Sequence, residues 1–265
     1  MNLIIGSTSQ MASYFPEHYE KISSRDIQQE VYESGYNSVF ITFAEQRTFD
    51  KNISEKDFID VNVKYTDYVV DKLSPISERI VLYGTAELWN AHDGEVNISS
   101  EIKYNYSPYI KSKEALFNLY REKKQRGEWN NVVMLHPVNF NSIGRKRGFL
   151  FHKIFQSIIK KDVINIGDIN IDRDMIHAKY LVEKSISASN DEIVGSGFVT
   201  NVEEFVSNLY LKFDMRYKDF VIKDKSFNSP HKNNTFWAKN DIKYLNLLKE
   251  TANDIESAIS QRHSG

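Results

Sequence analysis

Residues 80–87 read Ile-Val-Leu-Tyr-Gly-Thr-Ala-Glu, four apolar residues followed at once by glycine and two polar side chains. A short continuous apolar run that ends at a turn residue is typical of a strand buried on both faces. Similar runs occupy residues 3–5, 39–41 and 132–135, and a further strand is predicted at about 19–23.

Segments with a helical spacing of apolar residues lie between these runs. One stripe extends from Phe58 to Leu73 and another from Ala115 to Tyr120. A short helix containing Pro16 is predicted after the first strand. Strands that alternate with helices predict an α/β fold of the Rossmann type, with a parallel sheet and helices on both faces.

The alternation becomes irregular beyond about residue 140. The pattern there predicts a small, partly helical C-terminal cap that interleaves with the end of the sheet. Its predicted helices span residues 149–159, 180–188, 202–213 and 239–259.

Composition excludes several classes of function. The 34 Lys and Arg balance 36 Asp and Glu, so the broad basic surface of a nucleic-acid-binding domain is not expected. The absence of cysteine excludes disulfides, thiolate metal sites and cysteine nucleophiles. No histidines have metal-site spacing, so we predict no metal.

No run approaches the ~20 apolar residues that span a bilayer, and the opening run is too short for a signal peptide. We expect a cytoplasmic protein without nucleic-acid or membrane partners.

Tyr109 and Lys113 are four residues apart and would share one face of a helix. Ser107 suits the N-cap of that helix and Pro108 its first position. A nearby ammonium and the positive end of the helix would lower the tyrosine pKa from about 10, which turns a phenol into a base for an alcohol proton.

The spacing alone is weak, because Tyr120–Lys124 and Tyr180–Lys184 share it. Most such pairs belong to solvated helix faces or to the core. The upstream Thr85 and Glu87 distinguish the first pair, since ligands of open α/β sheets bind at the carboxyl ends of strands. Taken alone, Thr85 could cap a turn and Glu87 could be a surface carboxylate.

The order of a strand, Thr-x-Glu, a loop and Ser-Pro-Tyr-x-x-x-Lys resembles the extended short-chain dehydrogenases, with the greatest likeness to the GDP-mannose 4,6-dehydratase branch. Other segments resemble that branch in the same order. They are Gly6-Ser-Thr8-Ser-Gln10-Met-Ala12-Ser-Tyr14, Phe43-Ala44-Glu45-Gln46, Val138-Asn139 through Gly148, and Arg173-Asp174 with His177-Ala178-Lys179.

The resemblance implies a catalytic set and a nicotinamide cofactor. The implied catalytic residues are Thr85, Glu87, Tyr109 and Lys113. The implied cofactor residues are Gly6, Thr8, Ser9, Gln10, Met11, Arg25, Ala44 and Gln46, together with Tyr109 and Lys113. The implied substrate residues are Asn139, Arg145, Lys146, Arg147 and Arg173, although a solvated basic loop is the alternative for residues 145–147.

Two features depart from the family pattern. Ser9 and Ala12 replace two glycines of the cofactor loop, and the Cβ of Ser9 would stand where the backbone approaches a pyrophosphate. The hydroxyl of Ser9 could instead donate to a phosphate oxygen. Near the C-terminus the family's arginine-proline segment is Asn228-Ser-Pro230-His231 here.

Arg25 follows the second strand, where the resemblance implies recognition of an adenosine 2′-phosphate. NADP is therefore the preferred cofactor and NAD the alternative, since Arg25 could also be a surface residue paired with Asp26.

Residues 1–140 are predicted to bind mainly the cofactor, and residues 141–265 to form the end of the sheet and a substrate-binding cap.

The implied function is a nucleotide-sugar 4,6-dehydratase that forms a 4-keto-6-deoxy sugar from a nucleoside-diphosphate hexose. A 4-ketoreductase, 4-dehydrogenase or epimerase on the same scaffold is the first alternative, and a non-catalytic nucleotide-binding homologue is the second. The resemblance also implies a homodimer through a four-helix interface formed by residues 56–73 and 108–124.

Overall fold

The computed structural model describes residues 1–27, 35–227, 235–238 and 244–263. A parallel sheet of six strands forms its centre. The strands are β1 (Asn2–Ile5), β2 (Glu20–Ile22), β3 (Ser38–Ile41), β4 (Ile80–Tyr83), β6 (Val132–Pro137) and β11 (Glu192–Val194). Every strand predicted from the apolar runs is confirmed. Their order is β11-β6-β4-β3-β1-β2.

All six strands are parallel, but the order in which successive strands are placed in the sheet reverses at β1. The chain passes from β1 to β2 on one side and then crosses to β3 on the other. A ligand cleft is expected where strand order reverses in this way. Gly6 follows β1 with φ +113°, and a Cβ there would lie 2.7 Å from the Thr42 hydroxyl. The loops after β1 and β3 therefore approach closely because residue 6 has no side chain.

Two helical segments pack together beside the sheet. Helix α1 (Glu55–Ile59), a π-helical stretch (Asp60–Tyr65) and helix α2 (Thr66–Leu73) follow one another without a break. Helix α3 (Pro108–Gln125) packs against α1 and the π-helical stretch. The predicted helical stripes are confirmed, and the π-helical interruption was not foreseen.

The first crossover differs from the prediction. Only a 3-10 helix of three residues (Ala12–Tyr14) follows the loop after β1, and Phe15 is already extended. Pro16 lies beyond the helix rather than within it, because the residue before a proline is disfavoured in the helical region.

The remaining elements are short. The strands are β5 (Gly94–Val96), β7 (Asn139–Asn141), β8 (Ile164–Ile166), β9 (Asp172–Arg173), β10 (Met175–His177), β12 (Thr200–Asn201), β13 (Val221–Lys223) and β14 (Phe236–Ala238). They form two-stranded pairs, namely β10 with β7, β12 with β9, β13 with β8, and β14 with β5.

The later helices are α4 (Leu150–Lys160), α5 (Ala178–Ser187), α6 (Val202–Leu211), α7 (Tyr217–Phe220) and α8 (Tyr244–His263). Helices α4, α5 and α6 match three predictions within a few residues. The start of the predicted terminal helix, 239–243, lies outside the described residues, as does the segment 228–231. No described helix is long and apolar enough to cross a membrane.

The buried apolar residues form two clusters. The first surrounds the six-stranded sheet and takes in Ile176, Leu181 and Val194 from the later half of the chain. The second joins α4, α6 and α8 through residues such as Phe155, Phe205 and Ile255. The sheet core thus includes residues from both sides of residue 140.

Candidate active site

The end of β4 carries Thr85 and Glu87. Thr85 is buried and caps a 3-10 helix (Ala86–Trp89), and its hydroxyl accepts from the Glu87 amide at 3.3 Å. The cap directs the chain sharply away from the sheet, so that Glu87 is half-buried at the carboxyl edge. This edge is where the sequence predicted the chemistry.

Two side-chain amides hold the Glu87 carboxylate. Asn90 donates to one oxygen at 2.9 Å and Asn139 donates to the other at 3.3 Å. The carbonyl of the Asn90 side chain accepts from the Asn105 amide at 2.7 Å, which fixes its orientation. Asn90 was missed by sequence reasoning, although its position three residues after Glu87 on a helical turn was the available signal.

Helix α3 begins as predicted, with Ser107 accepting from the Ile110 amide and Pro108 in the first turn. Lys113 is buried and donates to the backbone carbonyl of Tyr83 at 2.7 Å. This contact ties the helix to the last residue of β4. It places Tyr109, one turn earlier, beside Thr85.

The surroundings of Tyr109 keep its phenol protonated in the free protein. Burial raises its pKa to about 12, a hydrogen bond with Thr85 opposes that rise, and the charge of Glu87 adds to it. The guanidinium of Arg145 favours the phenolate. The cation that lowers the pKa of this phenol is therefore Arg145, whereas the sequence had suggested Lys113.

A cavity of about 650 Å³ lies at the strand reversal. This size falls within the range of roughly 300–1,000 Å³ found for ligand pockets. Its walls include eight of the residues predicted to bind the cofactor, namely Gly6, Thr8, Ser9, Gln10, Met11, Arg25, Ala44 and Gln46. Tyr109 and Lys113, which were predicted with them, are not among its lining residues. Tyr83 and Gly84 also line the cavity. Since Lys113 donates to the Tyr83 carbonyl, this hydrogen bond lies next to the cavity wall.

Four cationic side chains line this cavity, namely Arg25, Arg47, Arg145 and Lys146. The Arg145 guanidinium lies 3.8 Å from the centre of the Phe149 ring and donates to the Gln46 side chain at 3.3 Å. Burial lowers its pKa to about 10 and the neighbouring Tyr109 raises it. The structure thus places Arg145 and Lys146 with the cofactor-loop residues, although the prediction assigned them to the substrate. Arg147 is exposed.

Arg173 faces the Glu87 side of the site. It is half-buried on β9, and it donates to the Asp172 carbonyl at 2.7 Å. Burial lowers its pKa, and the charge of Glu87 raises it. Arg173 and Asn139 therefore both lie near Glu87, and they form a polar group separate from the cations of the cavity.

Asn62 supports the cavity from behind and was not predicted. Its side chain accepts from the Glu45 amide at 2.8 Å and donates to the Glu45 carbonyl at 3.0 Å. It also donates to Ser112 on α3 at 3.0 Å. Asn62 lies in the π-helical stretch, and such stretches are frequent at functional sites. A polar residue inside an apolar helical stripe was the signal for it.

The cavity fits a dinucleotide phosphate group at Ser9. The Ser9 hydroxyl is shielded from solvent and has no hydrogen-bond partner among the described residues. A buried hydroxyl without a partner is costly, so a bound oxygen atom beside Ser9 would be stabilising. Across the described chain, no group of three or more His, Asp or Glu side chains could hold a metal ion.

Known proteins resemble this chain in sequence and in fold. A sequence model of the NAD dependent epimerase/dehydratase family matches residues 10–193, which is more than half of the chain. A comparison of the sequence with the curated proteins finds no match.

Several solved structures share the fold. RMD from Pseudomonas aeruginosa, complexed with NADPH, is 14% identical with a TM-score of 0.77, covering 98% of this chain and 99% of that chain. MoeE5 in complex with UDP-glucose and NAD is 15% identical with a TM-score of 0.75, covering 100% and 99%. A double mutant of DesIV, a dTDP-glucose 4,6-dehydratase from Streptomyces venezuelae with NAD and DAU bound, is 12% identical with a TM-score of 0.73, covering 98% of each chain. At these identities the likeness establishes the fold, and the predicted Rossmann-type class is confirmed.

Lys113 makes the stability of the protein depend on pH. Burial lowers the pKa of its ammonium from 10.5 to about 8. Between these two values the unfolded chain binds more protons at this site than the folded chain, so the free energy of unfolding should rise with pH. We expect the free energy of unfolding of the parent, minus that of Lys113→Met, to increase from pH 8 to pH 10.5 in urea titrations.

Lys111→Met is the control, because Lys111 is exposed on the same helix. Its difference from the parent should stay flat over this range. A flat difference for Lys113→Met as well would show that the ammonium is not destabilised by burial.

Proposed function

The chain belongs to the NAD dependent epimerase/dehydratase family, and we propose that it is a nucleotide-sugar 4,6-dehydratase that uses NADP or NAD. The observation that carries this proposal is that Thr85 and Glu87 both interact with Tyr109, directly after the cavity-lining residues Tyr83 and Gly84. The carboxylate decides between activities, because oxidation or reduction at C4 alone does not need it.

The residues of the cavity suit the cofactor. The backbone of the Gly6–Met11 loop and the cations Arg25 and Lys146 would hold its phosphates, and Lys113 would lie toward its nicotinamide ribose. When bound, the nicotinamide supplies a reversible hydride acceptor for the C4 and C6 carbons of the sugar.

The chain's own side chains would move the protons. The Tyr109 phenolate would take the proton of the C4 hydroxyl, while Thr85 hydrogen-bonds the same oxygen. The resulting C4 ketone acidifies the C5 hydrogen, and the Glu87 carboxylate would accept that proton. Glu87 would then protonate the departing C6 hydroxyl, which leaves as water. Elimination of water leaves a C5–C6 double bond. As C6 receives the hydride that had left C4, Tyr109 would return its proton to C5, and the product is a 4-keto-6-deoxy sugar.

The substrate would occupy the space beside Glu87. Asn139 and Arg173 lie there and offer amide and guanidinium donors to its hydroxyls or diphosphate. Arg147 is exposed and would contact only an outer part of a nucleotide sugar. The base and the hexose are not part of this proposal.

A 4-ketoreductase is the second candidate, and the state of Tyr109 favours it. A phenol with its pKa raised to about 12 is protonated at neutral pH. That form can donate a proton to a C4 ketone during reduction, whereas a dehydratase needs phenolate at the first step. A 4-dehydrogenase or an epimerase would share that need for phenolate.

A pair of variants separates these activities. Tyr109→Phe should lower turnover of any C4 chemistry by about 10²–10⁴-fold, the usual contribution of a general base. Glu87→Gln should abolish water loss and exchange of the C5 hydrogen with solvent while reduced cofactor still accumulates. Product analysis by mass spectrometry with a panel of nucleotide sugars in D₂O measures both.

Matched controls are available for both positions. Tyr180→Phe tests the same spacing to a lysine on another helix, and Glu101→Gln tests an exposed carboxylate. Both should retain parent activity. Dehydration that persists in Glu87→Gln would remove Glu87 from the mechanism, and turnover that persists in Tyr109→Phe would remove the whole assignment.

Arg25 should select NADP over NAD. It lines the cavity beside Ser23 and Ser24, and a guanidinium can pair with a 2′-phosphate in two hydrogen bonds. Arg25→Ala should weaken NADP binding by ~1.5–3 kcal/mol and spare NAD. Calorimetric titration with both cofactors tests this.

Arg47→Ala is the control, because Arg47 lines the same cavity but its guanidinium is held by Glu45. It should weaken both cofactors to a similar extent. An equal loss for NAD and NADP in Arg25→Ala would refute Arg25 as the selector.

The proposed assembly is a homodimer through α1, α2 and α3. Tyr68 lies on the outer side of α2 with 45% of its surface exposed, and tyrosine is enriched in interfaces. Tyr68→Arg should shift the mass measured by light scattering from dimer toward monomer at micromolar concentration. Leu211→Arg, at an exposed apolar position on α6, should leave the mass unchanged. A monomeric parent would contradict the proposal.

A further inference from the structure

The cofactor loop lacks its usual support. In a Rossmann unit the glycine-rich loop opens a helix whose N-terminus meets the pyrophosphate. Here that place holds the three-residue 3-10 helix Ala12–Tyr14, after which the chain is extended. A single turn offers little dipole and little contact area. The position of the loop must therefore be set by other parts of the fold.

One carboxylate of the C-terminal helix reaches this loop. Asp254 on α8 accepts at a single oxygen from the Tyr14 hydroxyl, from the Ile143 amide at 3.0 Å and from the His177 ring at 3.1 Å. The Asp254 side chain is 15% exposed and the His177 side chain 3%. We call these four residues the Asp254 node. It joins four segments that are far apart in sequence.

Two of these segments are walls of the cavity. Gln10 and Met11 precede Tyr14, and Arg145 follows Ile143. The walls also meet directly, because the Ser142 hydroxyl donates to the Gln10 carbonyl at 3.0 Å. The node therefore sets the distance between the pyrophosphate side of the cavity and its Arg145 side.

Two further features show how tightly this junction is built. A Cβ at Gly144 would lie 3.2 Å from the Cα of Gln10, so the walls approach to backbone contact. Thr251 lies one turn before Asp254 on α8, is buried, and donates to the Asn141 side chain at 3.2 Å. Two successive turns of α8 thus contact residues 141–143, through Thr251 and Asp254.

The node is held by charge as well as by geometry. Burial opposes ionisation of Asp254, but the hydrogen bonds from His177, Tyr14 and the Ile143 amide outweigh it and lower its pKa. Burial and the bond to Asp254 raise the pKa of Tyr14. Tyr14 is therefore a donor and Asp254 an anionic acceptor at neutral pH.

We propose that Asp254 is a positioning residue for the cofactor. Through Tyr14 and Ile143, helix α8 holds the two walls of the cavity at the spacing that a dinucleotide requires. This takes the place of the support that a long first helix gives in other Rossmann units. The inference rests on the proposed use of NADP or NAD, and it assigns to the C-terminal helix a part in binding that cofactor.

The test measures cofactor affinity directly. Asp254→Asn keeps the volume of the side chain and removes its charge, and Tyr14→Phe removes one donor. Each should raise the Kd for NADPH or NADH by about tenfold in fluorescence titrations of the full chain, as expected for loss of a charged hydrogen bond. Glu256→Gln, at an exposed position on the same helix, should leave the Kd unchanged.

Thermal unfolding separates positioning from general stability. Cofactor binding raises Tm by an amount that grows with the logarithm of ligand concentration divided by Kd. At equal NADPH concentration, the increase in Tm should therefore be smaller in the two node variants. The double variant should lose no more affinity than Asp254→Asn alone, because both changes act through one node.

The outcomes are distinct. A lower Tm without cofactor and an unchanged Kd would make Asp254 merely structural and overturn the inference. If Asp254→Asn does not fold, the Kd of Tyr14→Phe decides in the same way. A parent that binds neither NADPH nor NADH would overturn the proposed function, and the inference with it.

Discussion

The hydrogen bond from the Lys113 ammonium to the Tyr83 carbonyl sets the geometry of the site. A buried ammonium is costly without a partner, and this carbonyl is the last acceptor of β4 before the chain turns. The bond fixes both the rotation of α3 and its position along the strand. Tyr109 lies one turn earlier and meets Thr85 as a result. A shift of α3 by one residue would remove the partner of Lys113 and the neighbours of Tyr109 together.

Local sequence predicted the parts of the fold that local forces determine. The strands that begin at residues 80 and 132 are continuous apolar runs. Ser107 as the N-cap and Pro108 in the first turn specify where α3 begins. The amides around Glu87 and the node around Asp254 are different. Tyr14 and Asp254 are separated by 240 residues, and no spacing or propensity in one sequence connects them. Arg145 was recognised as a binding cation, but its place beside Tyr109 depends on the path of the loop after β7.

The first crossover shows how a proline can shorten a predicted helix. Met11, Ala12 and Phe15 are all buried, as on the inner face of a helix. A single 3-10 turn followed by an extended residue buries the same side chains, and Pro16 makes it the better solution. The short helix expected there is therefore a single 3-10 turn that ends before Pro16. This shortening has a consequence for function, because the loop then depends on contacts with α8.

The two proposed proton acceptors, Tyr109 and Glu87, each lie near a cationic side chain. The negative charge of Glu87 raises the pKa of Tyr109, so it makes the Tyr109 phenolate a stronger base. Arg145 favours the anionic form of Tyr109, and Arg173 lies close enough to Glu87 for the two charges to interact. In the proposed cycle Tyr109 and then Glu87 each take one proton from the same sugar. Each of these two side chains has its own cationic neighbour, Arg145 for Tyr109 and Arg173 for Glu87. A ketoreductase uses only the tyrosine and has no need of the second pair. The presence of the Glu87–Arg173 pair beside Tyr109 is therefore what favours dehydration over simple reduction.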